Sequence, residues 1–222
     1  MNSNREKSDL HRGLYVITDC VNFDTPDLLS KTEQILEAGI SMLQYRDKTH
    51  DSSLRLERAL SLQGLCTKYR TVFLINDDVA LAAQIDADGV HIGREDASYG
   101  ECRELLGQDA VIGVSCYNQL QRALRAEKDG VDYVAFGSFF PTTTKTTAFS
   151  ADTNLLSQAR ARLSVPVVAI GGITPENGAA LVEAGADLLA VVSSVYSSDN
   201  PQRVVSEFND LFSGSGLGTW DS

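Results

Sequence analysis

Eight short apolar runs rich in β-branched residues recur along the chain, and nearly every one hands over to a longer amphipathic stretch. This alternation restricts the fold more than any other feature. The runs are 14–18, 40–45, 72–75, 89–92, 111–115, 133–136, 167–170 and 188–192. They read as continuously apolar rather than alternating, as strands do when a parallel sheet is covered on both faces. Helical spacing follows at 26–38, 53–68, 79–85, 119–128, 153–162, 175–184 and 201–212. Start signals agree, because Asp24, Thr174 and Asn200 each stand just before a proline of a first turn. Stop signals agree too: Gly39, Gly130 and Gly185 close helices and lead within about three residues into the next strand.

Eight β-α units with no linker between residues 13 and 212 predict a single-domain α/β fold, a (β/α)8 TIM barrel. A doubly wound open sheet is the alternative. The first run, however, ends in Thr18, Asp19 and Cys20, without the glycine-rich fingerprint that such a sheet usually carries there. Residues 1–12 read as a flexible N-terminal segment, and the Gly/Ser-rich 213–222 as a tail.

Composition narrows the partners. The formal net charge of −11 over 222 residues leaves no general basic footprint for nucleic acid. It also means that an anionic substrate needs locally gathered cations or a metal. No apolar run approaches the roughly 20 residues of a membrane span, and Met1 to Arg12 has no signal-peptide core. The four cysteines are scattered, with no C-x-x-C pair, and read as reduced structural thiols. A cytoplasmic protein, with a homo-oligomer possible, is the expectation.

In a barrel the chemistry gathers at the C-terminal strand ends, and here those ends are polar. Gln44, Arg46 and Lys48 follow the second run at a spacing of two, which directs all three side chains the same way in extended chain. A guanidinium inside a barrel needs an anion; a solvated loop is the other reading for Arg46 and Lys48. Asn76, Asp77 and Asp78 end the third run, and Asp96 follows the fourth. Two carboxylates on neighbouring strands suit Mg2+, whereas an Asp at these positions also suits a helix cap. His91 lies on the fourth run, where packing is the simpler role than catalysis. Ser115 ends the fifth. The sixth opens into the segment 137–145 (GSFFPTTTK), whose hydroxyls and lysine suit a phosphorylated small molecule. Gly171 and Gly172 end the seventh and Ser193 and Ser194 the eighth, where barrels of this kind hold phosphate; a tight turn alone is the other reading of the glycine pair.

Taken in order, GLYVITD (13–19), QYRDK (44–48), IND (75–77), ADGVHIG (87–93) with Glu95 and Asp96, IGVS (112–115), DYVAFG (132–137), PTTTK (141–145), AIGGI (169–173) and AVVS (190–193) resemble the thiamine-phosphate synthase family. The resemblance spans about residues 13–212. It implies a Mg2+-dependent transferase of thiamine biosynthesis. Such an enzyme joins an aminopyrimidine carrying a diphosphooxymethyl group to a thiazole phosphate (or its carboxylated precursor), giving thiamine phosphate and pyrophosphate. By the same resemblance Gln44, Tyr45, Arg46, Asp47, Lys48, Asn76, Ser115 and Lys145 bind the pyrimidine diphosphate, with Arg46, Lys48, Ser115 and Lys145 acting in catalysis. Asp77 and Asp96 hold Mg2+, and Thr142, Thr143, Thr144, Gly171, Gly172, Val192 and Ser193 bind the thiazole phosphate. Arg94 stands where the family commonly has Gln, and Ser138 where it has Pro. A related group of thiazole tautomerases lacks parts of the diphosphate apparatus; Arg46, Lys48, Asp77, Asp96 and Lys145 favour the synthase.

Overall fold

The computed structural model describes residue 10, residues 12–141 and residues 151–213. The expected flexible N-terminal segment and tail fall almost wholly outside the described residues, as do Thr142, Thr143, Thr144 and Lys145. In chain order the elements are β1 (Gly13–Ile17), α1 (Thr25–Glu37), β2 (Met42–Tyr45), α2 (Ser52–Tyr69), β3 (Val72–Asn76), α3 (Val79–Ile85), β4 (Gly89–Ile92) and α4 (Tyr99–Leu106). They continue with β5 (Val111–Tyr117), α5 (Leu120–Asp129), β6 (Tyr133–Gly137), α6 (Thr153–Arg160), β7 (Val167–Ile170), α7 (Pro175–Glu183), β8 (Leu188–Val191), α8 (Ser193–Tyr196) and α9 (Pro201–Ser213).

The strands are all parallel and close in sequence order, β8 pairing back onto β1 with Tyr15 opposite Ala190. This is the expected (β/α)8 barrel. Each strand divides its side chains between two cores. Leu14, Val16, Leu43, Phe73, Ile75, Val90, Ile112 and Val134 face outward to the helices. Tyr15, Ile17, Met42, Val72, Leu74, Val111, Tyr133, Val168 and Leu188 fill the barrel. Burial on both faces is why the strands read as unbroken apolar runs.

The helices start on polar caps. Asp24, Asp51, Asp78 and Asp152 each accept a backbone N–H from the first turn. Asn200 does the same for α9, accepting from the Arg203 amide at 3.0 Å. Gly39, Gly130 and Gly185 end α1, α5 and α7 at positive φ, as expected. α2 and α3 end instead on Arg70 and Asp86 in the left-handed region. Two elements have no counterpart among the helical stretches read from the sequence. α4 is eight residues long with the helix-weakening Gly100 inside it, and α8 is four residues long, barely one turn.

Candidate active site

Strand parity decides what the barrel mouth receives. Gln44, Asn76, His91 and Ser115 share the inward register of β2, β3, β4 and β5 with the barrel-filling residues. Gln44 and His91 are buried, while Asn76 and Ser115 are half-buried toward the opening. Arg46 continues the β2 register one step beyond the strand. Its backbone N–H is fixed by the Thr18 hydroxyl at 2.9 Å. The residue is half-buried, and its guanidinium makes no ion pair with the described residues.

Tyr45 and Asp47 take the opposite parity, and their side chains turn away from the mouth. Tyr45 donates to Asp47 Oδ2 at 3.0 Å, and Arg58 of α2 meets the same oxygen at 3.0 Å. The Asp47 side chain is fully buried. Burial opposes its ionisation, but the Thr49 amide and Arg58 keep the carboxyl below its ordinary range. These two side chains therefore brace the β2 end from behind.

Lys48, Asp77 and Asp96 meet at the rim. Lys48 Nζ lies 2.6 Å from Asp77 Oδ2. Asp77 has φ 63°, so the chain turns sharply there. The neighbouring Asp78 takes the capping work, accepting from Leu81 N at 2.9 Å and pairing with Arg55 at 2.6 Å. Asp77 is thus spare. Asp96 is not the α4 cap either: Ser98 forms a capping box with Glu101. Asp96 Oδ2 curls back to accept from Gly93 N at 2.6 Å. A Cβ on Gly93 would stand 2.9 Å from that oxygen, so the curl depends on glycine.

The two carboxyl groups lie close enough to shift each other's ionisation. Burial works against the Asp77 charge, yet Lys48 and the contact with Asp96 hold its carboxyl below the usual range. Burial and the nearby Asp77 push Asp96 up. Two carboxylates so close resist double ionisation unless a cation joins them, and all-oxygen donors fit a hard divalent ion. Among the described residues no group of three or more His, Cys, Asp or Glu side chains converges. Such an ion would need further oxygens from water or substrate.

On the other side of the mouth, Gly171 and Gly172 leave β7 at φ 110° and 62°. A Cβ on Gly171 would come within 2.1 Å of Ser138 Oγ, and one on Gly172 within 2.4 Å of the Pro141 carbonyl oxygen. The glycine pair therefore lets the chain leaving β6 lie directly against β7. Phe139 N and Phe140 N donate to the carbonyls of Ile170 and Gly171 at 3.2 and 3.0 Å. Val192 and Ser193 follow β8, next to β7 in the barrel. Ser138 donates to the Phe140 carbonyl at 2.7 Å. Arg94 lies over the Tyr117 ring, 5.2 Å from its centroid. Arg122 bonds the carbonyls of Ser115 at 2.9 Å and Gly93 at 3.2 Å, tying the ends of β4 and β5 together.

Sequence reasoning left out Tyr15 and Tyr133. Both phenols lie inside the barrel, 2.9 Å apart. Tyr133 also meets His91 Nδ1 at 2.8 Å, and His91 Nε2 meets Ser115 Oγ at 2.9 Å. The readable signal was a tyrosine at inward parity opposite a glycine: Gly113 pairs with Tyr133 in register, and a Cβ there would stand 1.9 Å from the tyrosine ring.

A closed parallel barrel with a cation, an amide, hydroxyls and paired carboxylates at its strand ends defines a (β/α)8 enzyme. Sequence comparison supplies the particular family. Residues 14–195 match the family described as thiamine monophosphate synthase. Thiamine-phosphate synthase of Azoarcus sp. (strain BH72) is 49% identical over 201 residues, covering 90% of this chain and 97% of that one. The thiamine-phosphate synthase of Thioalkalivibrio sulfidiphilus is 44% identical over 207 residues, covering 93% and 98%. Among solved structures, thiamine phosphate pyrophosphorylase from Pyrococcus furiosus aligns with a TM-score of 0.83 at 32% identity, covering 96% of this chain and 99% of that one. The chain belongs to the thiamine-phosphate synthase family, and is accordingly a transferase of thiamine biosynthesis.

Proposed function

We propose that the mouth joins an aminopyrimidine bearing a diphosphooxymethyl group to a thiazole phosphate, with Arg46, Lys48 and Lys145 receiving the departing diphosphate. The reaction breaks the C–O bond to the diphosphate, and its electron pair leaves with pyrophosphate. The electron-rich aminopyrimidine carries the positive charge left on the methylene carbon, and the thiazole nitrogen then donates its lone pair to form the new C–N bond. The protein needs no nucleophile. It must stabilise the leaving anion and hold the two rings in line.

Gln44, Asn76 and Ser115 line the β2, β3 and β5 sector and suit the pyrimidine. Asp77 and Asp96 would hold Mg2+; when bound, the ion would neutralise charge on the diphosphate. Lys48 would keep Asp77 ionised as a ligand. Gly171, Gly172, Val192 and Ser193 would receive the thiazole phosphate, with Thr142, Thr143 and Thr144 assigned by family motif alone. Lys145 is likewise assigned by motif. The observation that supports the reading is the half-buried Arg46 at the end of β2, without an ion pair among the described residues and two positions before Lys48, which pairs with Asp77. A metal-bound diphosphate needs anion-receiving and cation-receiving groups of this kind close together. The test is a Mg2+ titration of activity in Asp77→Ala and Asp96→Ala. The expected result is a rise of at least about tenfold in the Mg2+ needed for half-maximal rate. An unchanged Mg2+ requirement in both variants would refute the metal assignment.

A further inference from the structure

Five polar side chains form one hydrogen-bonded file across the barrel, from β2 through β1, β6 and β4 to β5. Gln44 Nε2 donates to the Tyr15 hydroxyl. Tyr15 meets the Tyr133 hydroxyl at 2.9 Å, Tyr133 meets His91 Nδ1 at 2.8 Å, and His91 Nε2 meets Ser115 Oγ at 2.9 Å. Tyr15 and Tyr133 are almost fully buried, at 1% and 0% exposure, and Gln44 and His91 at 2% and 8%. Burial holds both phenols well above their ordinary pKa, so each keeps its single proton. The two ends of the file, Gln44 and Ser115, are residues assigned above to the pyrimidine. The three members between them have no part in that chemistry.

One proton per phenol gives the file a direction. Because Tyr15 accepts from the Gln44 amide nitrogen, its own proton goes to Tyr133. The Tyr133 proton then goes to His91 Nδ1. A neutral imidazole accepting at Nδ1 carries its hydrogen on Nε2 and donates it to Ser115. Ser115, already accepting, keeps its hydroxyl hydrogen for another partner, while Gln44 keeps its carbonyl oxygen. Reversing the Gln44 amide would reverse every bond in turn, leaving Gln44 to offer N–H and Ser115 to offer only a lone pair.

We propose that Tyr15, Tyr133 and His91 are positioning residues that couple the two ends of the file, so that with Gln44 Nε2 turned inward the mouth presents one acceptor, Gln44 Oε1, and one donor, the Ser115 hydroxyl. That pair complements an aminopyrimidine, whose exocyclic amine donates and whose ring nitrogen accepts. A 4-oxopyrimidine offers the inverse pattern, with a carbonyl acceptor and a ring N–H donor. A free amide and a free hydroxyl could turn singly to suit either ring; a coupled file must reverse at every member, the His91 tautomer included. A site built to pair a substrate N–H discriminates strongly because a mismatch leaves buried polar groups unpaired. The specificity role rests on the pyrimidine reading of the site, whereas the direction of the file stands without it.

Two measurements test the proposal on the full-length enzyme. First, long-range 15N–1H NMR of the uniformly labelled protein reads the tautomer of His91, one of three histidines and assignable through His91→Gln. The file requires the hydrogen on Nε2 in wild type, with a mixture of tautomers in Tyr133→Phe. Hydrogen on Nδ1, or a mixture in wild type, would overturn the proposal. Second, affinities are compared for two diphosphonate analogues in which carbon replaces the oxygen of the breaking C–O bond, one a 4-aminopyrimidine and one a 4-oxopyrimidine. Wild type should prefer the amino compound by about a hundredfold or more, given the penalty for unpaired groups. Tyr15→Phe and Tyr133→Phe should each cut that preference by at least about tenfold, mainly by admitting the oxo compound. A purely structural loss would weaken both analogues alike and leave the ratio unchanged, overturning the specificity role. Thermal unfolding of each variant confirms that it is folded. If wild type bound neither analogue, the pyrimidine reading and the specificity role would fall together, while the tautomer would still decide the direction of the file.

Discussion

At the residue scale, the proposed reading separates rim side chains that bear charge toward a ligand from side chains that hold them in place. Arg46 is offered without an internal ion pair among the described residues, whereas Lys48 is held 2.6 Å from Asp77. Removing the Arg46 guanidinium should therefore cost transition-state stabilisation and little fold stability. We expect Arg46→Ala to lower kcat by about 10²–10³, the range seen when one preorganised charge-stabilising donor is lost. Steady-state kinetics together with thermal unfolding check both halves of that statement. The mouth residues Gln44, Asn76, Asp77, Asp96 and Ser115 were legible because each follows an apolar run, and strand ends are where a barrel works. Tyr45 and Asp47 were harder to place. They are contiguous with Gln44, Arg46 and Lys48, and only the two-residue period of extended chain separates the inward side chains from the outward ones. Nothing in the local sequence shows that Asp47 meets Arg58, 11 residues further on.

At the element scale, the strand pattern and most caps could be read directly, because two-sided burial and capping chemistry are local properties. α4 escaped because Gly100 interrupts a short helix, although the Ser98–Glu101 capping box was present in the sequence. The left-handed ends at Arg70 and Asp86 escaped because they lack the glycine that usually marks such a position. Two substitutions test how the elements are joined. Arg58→Ala should strand the buried Asp47 carboxylate and destabilise the fold by roughly 3–5 kcal/mol. Chemical denaturation measures this directly, and a loss near zero would mean that the α2–β2 brace is unimportant. Gly113→Ala would set a methyl carbon 1.9 Å from the Tyr133 ring. Overpacking of this kind costs roughly 1–3 kcal/mol, and the ring must move, so Gly113→Ala should also disturb the file through His91.

At the scale of the whole molecule, eight apolar runs in 222 residues give one closed barrel on a chain of net charge −11. Among the described rim residues, Arg46 and Lys48 balance Asp77 and Asp96, so the rim is less acidic than the chain as a whole. On the proposed reading, an acidic protein takes two phosphorylated substrates because Arg46, Lys48 and a divalent ion act at short range, where solvent screening is weakest. The family model matches along the length of the fold rather than at one motif, from residue 14 to residue 195. The most direct test of the central claim is pyrophosphate release from the purified enzyme, with each component omitted in turn. Release should require the pyrimidine diphosphate, the thiazole phosphate and Mg2+ together, and should equal the thiamine phosphate formed. Undiminished release without the thiazole phosphate, or an undiminished coupling rate after Mg2+ is chelated, would contradict the account.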